Sequence, residues 1–232
     1  MRKLALSDEI LLKVDKAARY IGGEVNSVMK DKNEVEIRFA MCFPDVYEIG
    51  MSNLGMMILY NMFNQREDVW CERLFSPWPD LDKVMREKKI PLFALESQEP
   101  IRDFDFLGIT IGYEMCYTNI LQVLDLSGIP LKSADRGEDF PIVIGGGACA
   151  YNPEPLAPFF DMFYIGEGET VYDALFDAYK ANKKAGGSRR DFLLAAAKIP
   201  GIYVPSLYEV TYKEDGTIAS FAPTADGVPE KV

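Results

Sequence analysis

The segment DMFYIGEGETVYDALFDAYKANKK, residues 161–184, contains the pattern that decides the fold. DMFYIG (161–166) is a short apolar run typical of a buried strand, and TVYDALFDAYKANKK (170–184) has apolar residues at helical spacing. Gly186 and Gly187 then end the helix. The segment predicts a strand, a glycine-rich loop and a helix in direct succession, which is the repeating unit of an α/β fold.

The same succession recurs toward the N-terminus. Four further runs predict strands: EVEIRFAM (34–41), VWCERLF (69–75), FDFLGITIG (104–112) and PIVIGGG (141–147). Helical patterns lie at 80–89, at 116–128, and from a cap at Ser52 or Asn53 to about Gln65, while PLFAL (91–95) is ambiguous and could be a short extra strand. Strands that are apolar on both faces and alternate with helices predict a flavodoxin-like, doubly wound, mostly parallel sheet.

Both ends of the chain predict additions to this sheet. SDEILLKVDKAARY (7–20) has the apolar stripe of a helix, and LYEVTYKEDGTIASF (207–221) has the alternation and the Glu-Asp-Gly turn of a hairpin. We therefore expect three parts: a helical extension over 1–33, the α/β domain over 34–187, and a connector helix, hairpin and linker over 188–232.

The composition excludes several classes of function. The 25 basic and 36 acidic residues give a net charge of -11, which disfavours a nucleic-acid surface. The absence of histidine excludes Ser-His triads, His-ligated zinc and imidazole acid-base chemistry within this chain. No apolar run reaches transmembrane length, the N-terminus is too charged for a signal peptide, and four widely spaced cysteines suggest reduced thiols, so we expect a cytoplasmic protein.

Four loops should meet at the carboxyl edge of the sheet, where doubly wound folds bind their ligands. They are CFPDVYEIGMSNLG (42–55), YEMCYTN (113–119), GGGACAYNPEP (145–155) and GEGET (166–170). They contain acidic residues but no Lys or Arg, so a phosphate-binding loop is disfavoured. A neutral or cationic ligand fits this edge better, and so does another domain that closes over it.

Individual residues of these loops allow two interpretations. Glu167 and Glu169 could face a helix dipole, and Gly166 and Gly168 could serve a tight turn with positive φ, or the glycines could admit a flat ligand close to the backbone. Three loop cysteines could form a thiolate metal site, but their spacing lacks any metal motif and free cysteine is usually a small buried apolar residue. The three are Cys42, Cys116 and Cys149.

Several stretches in order resemble a known family. IVIGGGACAYNPEPLAPFFDMFYIGEGETVYDAL, IPGIYV and YKEDGTI resemble the end of the cobalamin-binding-type domain of radical S-adenosylmethionine (SAM) proteins and the strands that join it to the radical barrel. FPDVYEIGMSNLG, SPWPDL, YEMCYTNIL and NPEPLAPFFD are similar to an uncharacterised bacterial subfamily of these proteins.

The resemblance implies an N-terminal domain of a longer radical SAM enzyme. A 4Fe-4S cluster and SAM would belong to the barrel, which would be the partner of this domain, because the chain has no C-x-x-x-C-x-x-C triplet. Cobalamin is a possible cofactor of the domain itself, without the histidine ligand that mutase-type domains use. The alternative is a docking module that has lost the cofactor and covers the active site of the barrel.

We expect neither membrane nor direct nucleic-acid binding, and no catalytic or metal-ligating residue in this chain. Ten edge residues are the expected cofactor contacts: Tyr113, Gly145, Gly146, Gly147, Asn152, Gly166, Glu167, Gly168, Glu169 and Thr170.

Overall fold

The structure is a computed structural model that describes residues 3–232, and its centre is a mixed sheet of six strands. The strands are β1 (Ile37–Phe43), β2 (Val69–Phe75), β3 (Phe106–Thr110), β4 (Ile142–Gly146), β5 (Met162–Tyr164) and β6 (Ile202–Tyr203). Their order is β2-β1-β3-β4-β5-β6. The first five pair in parallel and β6 is antiparallel to β5, which confirms the predicted flavodoxin-like order.

Helices cover both faces of the sheet. They are α1 (Asp8–Leu11), α2 (Ala18–Ile21), α3 (Tyr47–Met51), α4 (Leu54–Gln65), α5 (Pro79–Lys88), α6 (Tyr117–Leu126), α7 (Tyr172–Lys184) and α8 (Arg189–Ala196). One apolar core includes Leu81 of α5 and Ile120 of α6, and the other includes Phe63 of α4 and Phe176 of α7. Every residue of β1 and β2 is buried, because both faces of these strands are covered.

Two predicted elements differ in the structure. The continuous helix predicted over 7–20 is wrong: α1 and α2 are separate single turns, and Lys16 between them has a φ of 51°, which a helix cannot contain. PLFAL (91–95) forms no strand and contributes one isolated bridge, from Phe93 to Pro100. The loop after β1 contains the short helix α3, which the sequence pattern did not indicate. The proposed domain boundaries at 33/34 and 187/188 stay predictions.

The outer edge of β2 is covered by other parts of the chain. Alternate residues of β2 direct their backbone groups away from β1, and five hydrogen bonds engage these groups. The bonds are Lys30 Nζ to Val69 O (2.6 Å), Asn64 Nδ2 to Cys71 O (2.9 Å), Cys71 N to Asn64 Oδ1 (3.0 Å), Arg73 N to Glu96 Oε2 (2.6 Å) and Leu95 N to Arg73 O (2.8 Å). Occupied donors and acceptors of this kind disfavour pairing of the strand edge with another strand.

The predicted hairpin is present as β7 (Tyr208–Tyr212) and β8 (Ile218–Pro223). Its base packs on the sheet through aromatic rings: the Tyr208 ring centroid lies 5.1 Å from that of Phe221 and 5.2 Å from that of Tyr203. Farther out, the paired residues Tyr212 and Ile218 are exposed. Within residues 3–232, every helix is too short or too polar to cross a lipid bilayer.

Candidate functional site

A cavity of about 190 Å³ opens at the carboxyl ends of the central strands. It lies above β1, β3 and β4, between the first turns of α4 and the GEGET loop, at the position where the predicted loops meet. The loop that follows β3 reaches the same edge, because the Tyr113 hydroxyl donates a short hydrogen bond to the Asp45 carboxylate in the loop after β1. The expectation that all four loops share one edge is therefore confirmed.

The floor of the cavity is apolar and depends on a glycine. Phe39 of β1 and Ile144 of β4 line it, with Gly108 of β3 between them. A Cβ atom at Gly108 would lie 2.4 Å from the Phe39 ring, so any larger residue at this position would displace that ring. Gly108 thus leaves the space that the Phe39 ring occupies.

The walls are supplied by α4 on one side and by two tyrosines on the other. Met56 and Leu59 project from α4, whose first turn is capped by Asn53 Oδ1 accepting from Met56 N at 2.9 Å. Tyr164 and Tyr172 face them, with ring centroids 6.0 Å apart. Burial raises the pKa of the Tyr172 phenol above its usual range, so this ring stays uncharged.

Four glycines form the mouth of the cavity, and three of them have a local reason to be glycine. Gly147 and Gly166 have positive φ values of 103° and 150°. A Cβ at Gly168 would meet Leu59 at 3.1 Å although its φ is not positive, so the positive-φ interpretation is correct for Gly166 and wrong for Gly168. At Gly146 the nearest atom to a Cβ would be the carbonyl oxygen of Tyr164 at 4.0 Å, so a side chain there would enter the cavity without a clash.

The electrostatics of the site disfavour a phosphate ligand. Among the described residues, Glu169 is the one charged side chain on the lining. Tyr164 shapes the loop that carries it, because its hydroxyl donates to the Glu167 carbonyl oxygen at 2.7 Å, and that oxygen also accepts from Thr170 Oγ1 at 3.0 Å. An apolar cavity with an acidic rim suits a flat neutral or cationic group.

The structure brings together half of the ten expected contacts. Gly146, Gly147, Gly166, Gly168 and Glu169 line the cavity.

The other five lie on the same edge but outside the cavity. Gly145 faces the opposite core, where a Cβ would lie 2.8 Å from Phe163. Tyr113 bonds Asp45, Asn152 is exposed, and Glu167 and Thr170 are exposed positions of the GEGET turn. Their contact with a ligand stays a prediction.

Sequence reasoning missed the residues that give the cavity its depth. They are Phe39, Met41, Asn53, Gly55, Met56, Leu59, Gly108, Ile109, Thr110, Ile144, Tyr164 and Tyr172. A usable signal existed for some of them: in a parallel strand, alternate residues share a face, so Ile144 and Gly146 had to point to the same side. The contribution of α4 depends on tertiary packing and had no such signal.

The loop cysteines fit the apolar interpretation. Cys42 and Cys116 are buried and Cys149 is half-buried, and burial raises the pKa of each thiol. Within the described part of the chain, no group of three Cys, Asp or Glu side chains is placed to hold a metal ion.

Comparison with known proteins gives one family. Residues 55–205, roughly two thirds of the chain, match the family described as radical SAM proteins, N-terminal. The chain is also 26% identical over 131 residues to an uncharacterized protein of Methanocaldococcus jannaschii. The aligned segment covers 56% of this chain and 24% of that relative. The chain therefore spans about a quarter of the relative's length. No solved structure matches.

Proposed function

The chain belongs to the family of N-terminal domains of radical SAM proteins, and we propose that it is a cobalamin-binding-like domain that takes a corrinoid at the carboxyl edge of its sheet. The observation that carries the proposal is the apolar cavity whose mouth consists of Gly146, Gly147, Gly166 and Gly168. Backbone without side chains lets a flat ligand approach closely, and the position is the one at which doubly wound sheets bind ligands.

The dimensions of the cavity set how such a ligand fits. About 190 Å³ is less than the roughly 300–1,000 Å³ of an ordinary ligand pocket, so only a ring-sized part of a corrinoid can enter. The remainder would lie over the four glycines. Tyr164, Tyr172 and Phe39 offer apolar ring surface to the inserted part.

The charges of the edge agree with this ligand class. A corrinoid would supply a cobalt centre with cationic character, and the acidic rim does not repel it as it would repel a phosphate. Because the chain has no histidine, no imidazole of this domain can bind the metal, and affinity must come from burial and backbone contacts. We propose that the 4Fe-4S cluster and SAM belong to another part of a radical SAM enzyme, since the four cysteines lack the cluster spacing.

We expect weak binding by the chain alone, because much of the contact surface of a large ligand would come from outside this domain. The test is titration with hydroxocobalamin, followed by visible absorption and by retention in equilibrium dialysis. A dissociation constant between about 1 μM and 1 mM corresponds to roughly -8 to -4 kcal/mol. Absence of any retention at millimolar concentration contradicts the proposal.

Two glycine variants locate the binding. Gly146→Val places a side chain in the cavity and should remove the retention. Gly137→Val is the matched control, because Gly137 also has open space around a Cβ and does not line the cavity. Equal binding by both variants would show that the ligand lies elsewhere.

A second candidate is that the edge packs on the rest of a radical SAM protein and binds no cofactor. The observation that favours it is a set of exposed apolar side chains on the same loops: Leu54 is 72%, Met115 86% and Tyr151 73% exposed. Side chains of this size in water on one rim are typical of an interaction surface.

Hydrogen exchange separates the candidates. In a longer radical SAM protein that contains this sequence, the docking hypothesis predicts slower exchange of the loops at 42–55 and 113–119 than in the isolated chain, whether or not cobalamin is present. Protection that appears only after cobalamin is added would instead support the cofactor site.

A further inference from the structure

We infer that a small cavity beside the end of β2 holds one water molecule that bridges Arg19 and Ser76. The cavity has a volume of about 30 Å³ and lies between α2, the residues that follow β2, and the segment at 92–95. Its lining includes Arg19, Tyr20, Ser76 and Leu81, all of which are buried. It is separate from the glycine-lined cavity.

Two polar atoms point to the occupant. Arg19 Nη1 and Ser76 Oγ are buried and have no hydrogen-bond partner among residues 3–232. Their residues are 8% and 6% exposed and line the same cavity. An unsatisfied buried donor or acceptor carries its full desolvation cost, and such groups in folded proteins almost always have a protein or water partner.

The cavity is large enough to hold a water. About 10–15 Å³ of accessible space is needed for one water, and a buried water typically makes two to four hydrogen bonds. Arg19 Nη1 can donate to the water oxygen, and the water can donate to Ser76 Oγ. The Tyr20 hydroxyl, which accepts from Trp78 N at 3.1 Å, lies on the same lining as a third polar group.

The charges around the cavity favour a neutral occupant over an anion. Arg19 Nε already donates to both carboxylate oxygens of Glu48 at 3.0 Å. The Arg73 guanidinium, which also lines the cavity, pairs with Glu96 at 2.7 Å. Both cations are therefore neutralised, and a halide would face these carboxylates as well.

The bridge would join three parts of the chain at this edge. Arg19 belongs to α2, Glu48 to α3 in the loop after β1, and Ser76 to the residues that follow β2. The N-terminal segment would thus hold two strand-end loops in place through one guanidinium, one carboxylate and one water.

The substitution Ser76→Ala should change the folding equilibrium constant differently depending on whether a water bonds the Ser76 hydroxyl. If a water bridges the hydroxyl, the variant loses a hydrogen bond, and its folding equilibrium constant should fall roughly two- to tenfold. If the hydroxyl has no partner, its removal should leave that constant unchanged or raise it, and this result would overturn the inference. The measurement is urea unfolding followed by tryptophan fluorescence. Ser206→Ala, at an exposed serine, is the control and should not change the constant.

A crystal structure of the unaltered chain tests the geometry directly. We expect a density peak within hydrogen-bond distance of both Arg19 Nη1 and Ser76 Oγ. A cavity without density overturns the inference, and so does an anomalous peak at this position after a bromide soak, since an anion would then be the occupant.

Discussion

Gly145 and Gly146 are neighbours on β4, and alanine at each should have opposite effects on stability. At Gly145, a Cβ would lie 2.8 Å from Phe163, 2.9 Å from Ile111 and 3.0 Å from Phe160, all of them side-chain atoms of a filled core. Overpacking of this kind costs about 1–3 kcal/mol. At Gly146 the nearest atom is 4.0 Å away. There, alanine should stabilise the chain by about 0.4–1 kcal/mol, because it restricts the unfolded state.

The assay for this pair is urea unfolding, with the fluorescence of the two tryptophans as the signal. Alanine restricts the unfolded state of Gly145→Ala in the same way, so this stabilisation cancels in the comparison. The free energies of unfolding of the two variants should therefore differ by about 1–3 kcal/mol. With an m-value of about 3 kcal/mol/M for a chain of this size, their midpoints should be separated by roughly 0.3–1 M. Coincident midpoints, or a lower midpoint for Gly146→Ala, would refute the assignment of the two residues to opposite faces of the sheet.

Four further outcomes are expected. Asn53→Ala removes the cap of α4 and should lower the free energy of unfolding by about 1 kcal/mol, measured by the same denaturation. Arg73→Met leaves Glu96 buried without its cation and should cost about 3–5 kcal/mol, whereas an unchanged midpoint would mean that water reaches this pair. The Arg19 guanidinium lowers the pKa of Glu48 to about 2, so this carboxylate stabilises the fold above its ordinary pKa of 4.5, and the stabilisation is lost as the pH falls toward 2. Glu48→Gln should therefore flatten the decline of the urea midpoint between pH 5 and pH 2.5. The purified chain should contain no stoichiometric iron and should not cleave SAM; an iron-dependent charge-transfer band would contradict this.

Much of the fold could be predicted because its signals are local. The run at 141–147 has no polar side chain, and parallel strands buried on both faces have this pattern. Asn53 could be named as one of two candidate caps, because a side chain that accepts a hydrogen bond from the helix start is a property of the sequence.

The remainder depended on packing that no local pattern contains. The apolar stripe over 7–20 is real, since Ile10 and Val14 are buried, but it is presented by two single turns and the residues between them, not by one helix. Asp80 contributes to this arrangement from a distance, because its Oδ2 accepts from Asp15 N at 2.6 Å between the two turns.

The three consecutive glycines at 145–147 show that packing at the site also could not be predicted from local sequence. The sequence indicated a loop that admits a ligand, and it could not assign a different reason to each glycine. Gly145 makes room for Phe163, Gly146 leaves the cavity open, and Gly147 has a φ of 103°. These reasons come from strands that are distant in sequence, so they became visible only with the fold.

The covered edge of β2 has a consequence for self-association. Five backbone groups on the outer edge of that strand already bond Lys30, Asn64, Leu95 and Glu96, so a second molecule cannot use them to extend the sheet there. The hairpin at 208–223 is less protected, because its strands pair only with each other in the described part of the chain. If heated chains form fibrils, intermolecular strand pairing should therefore begin at the hairpin. Removal of the hairpin by limited proteolysis should then delay fibril formation, and the remaining central sheet should not associate.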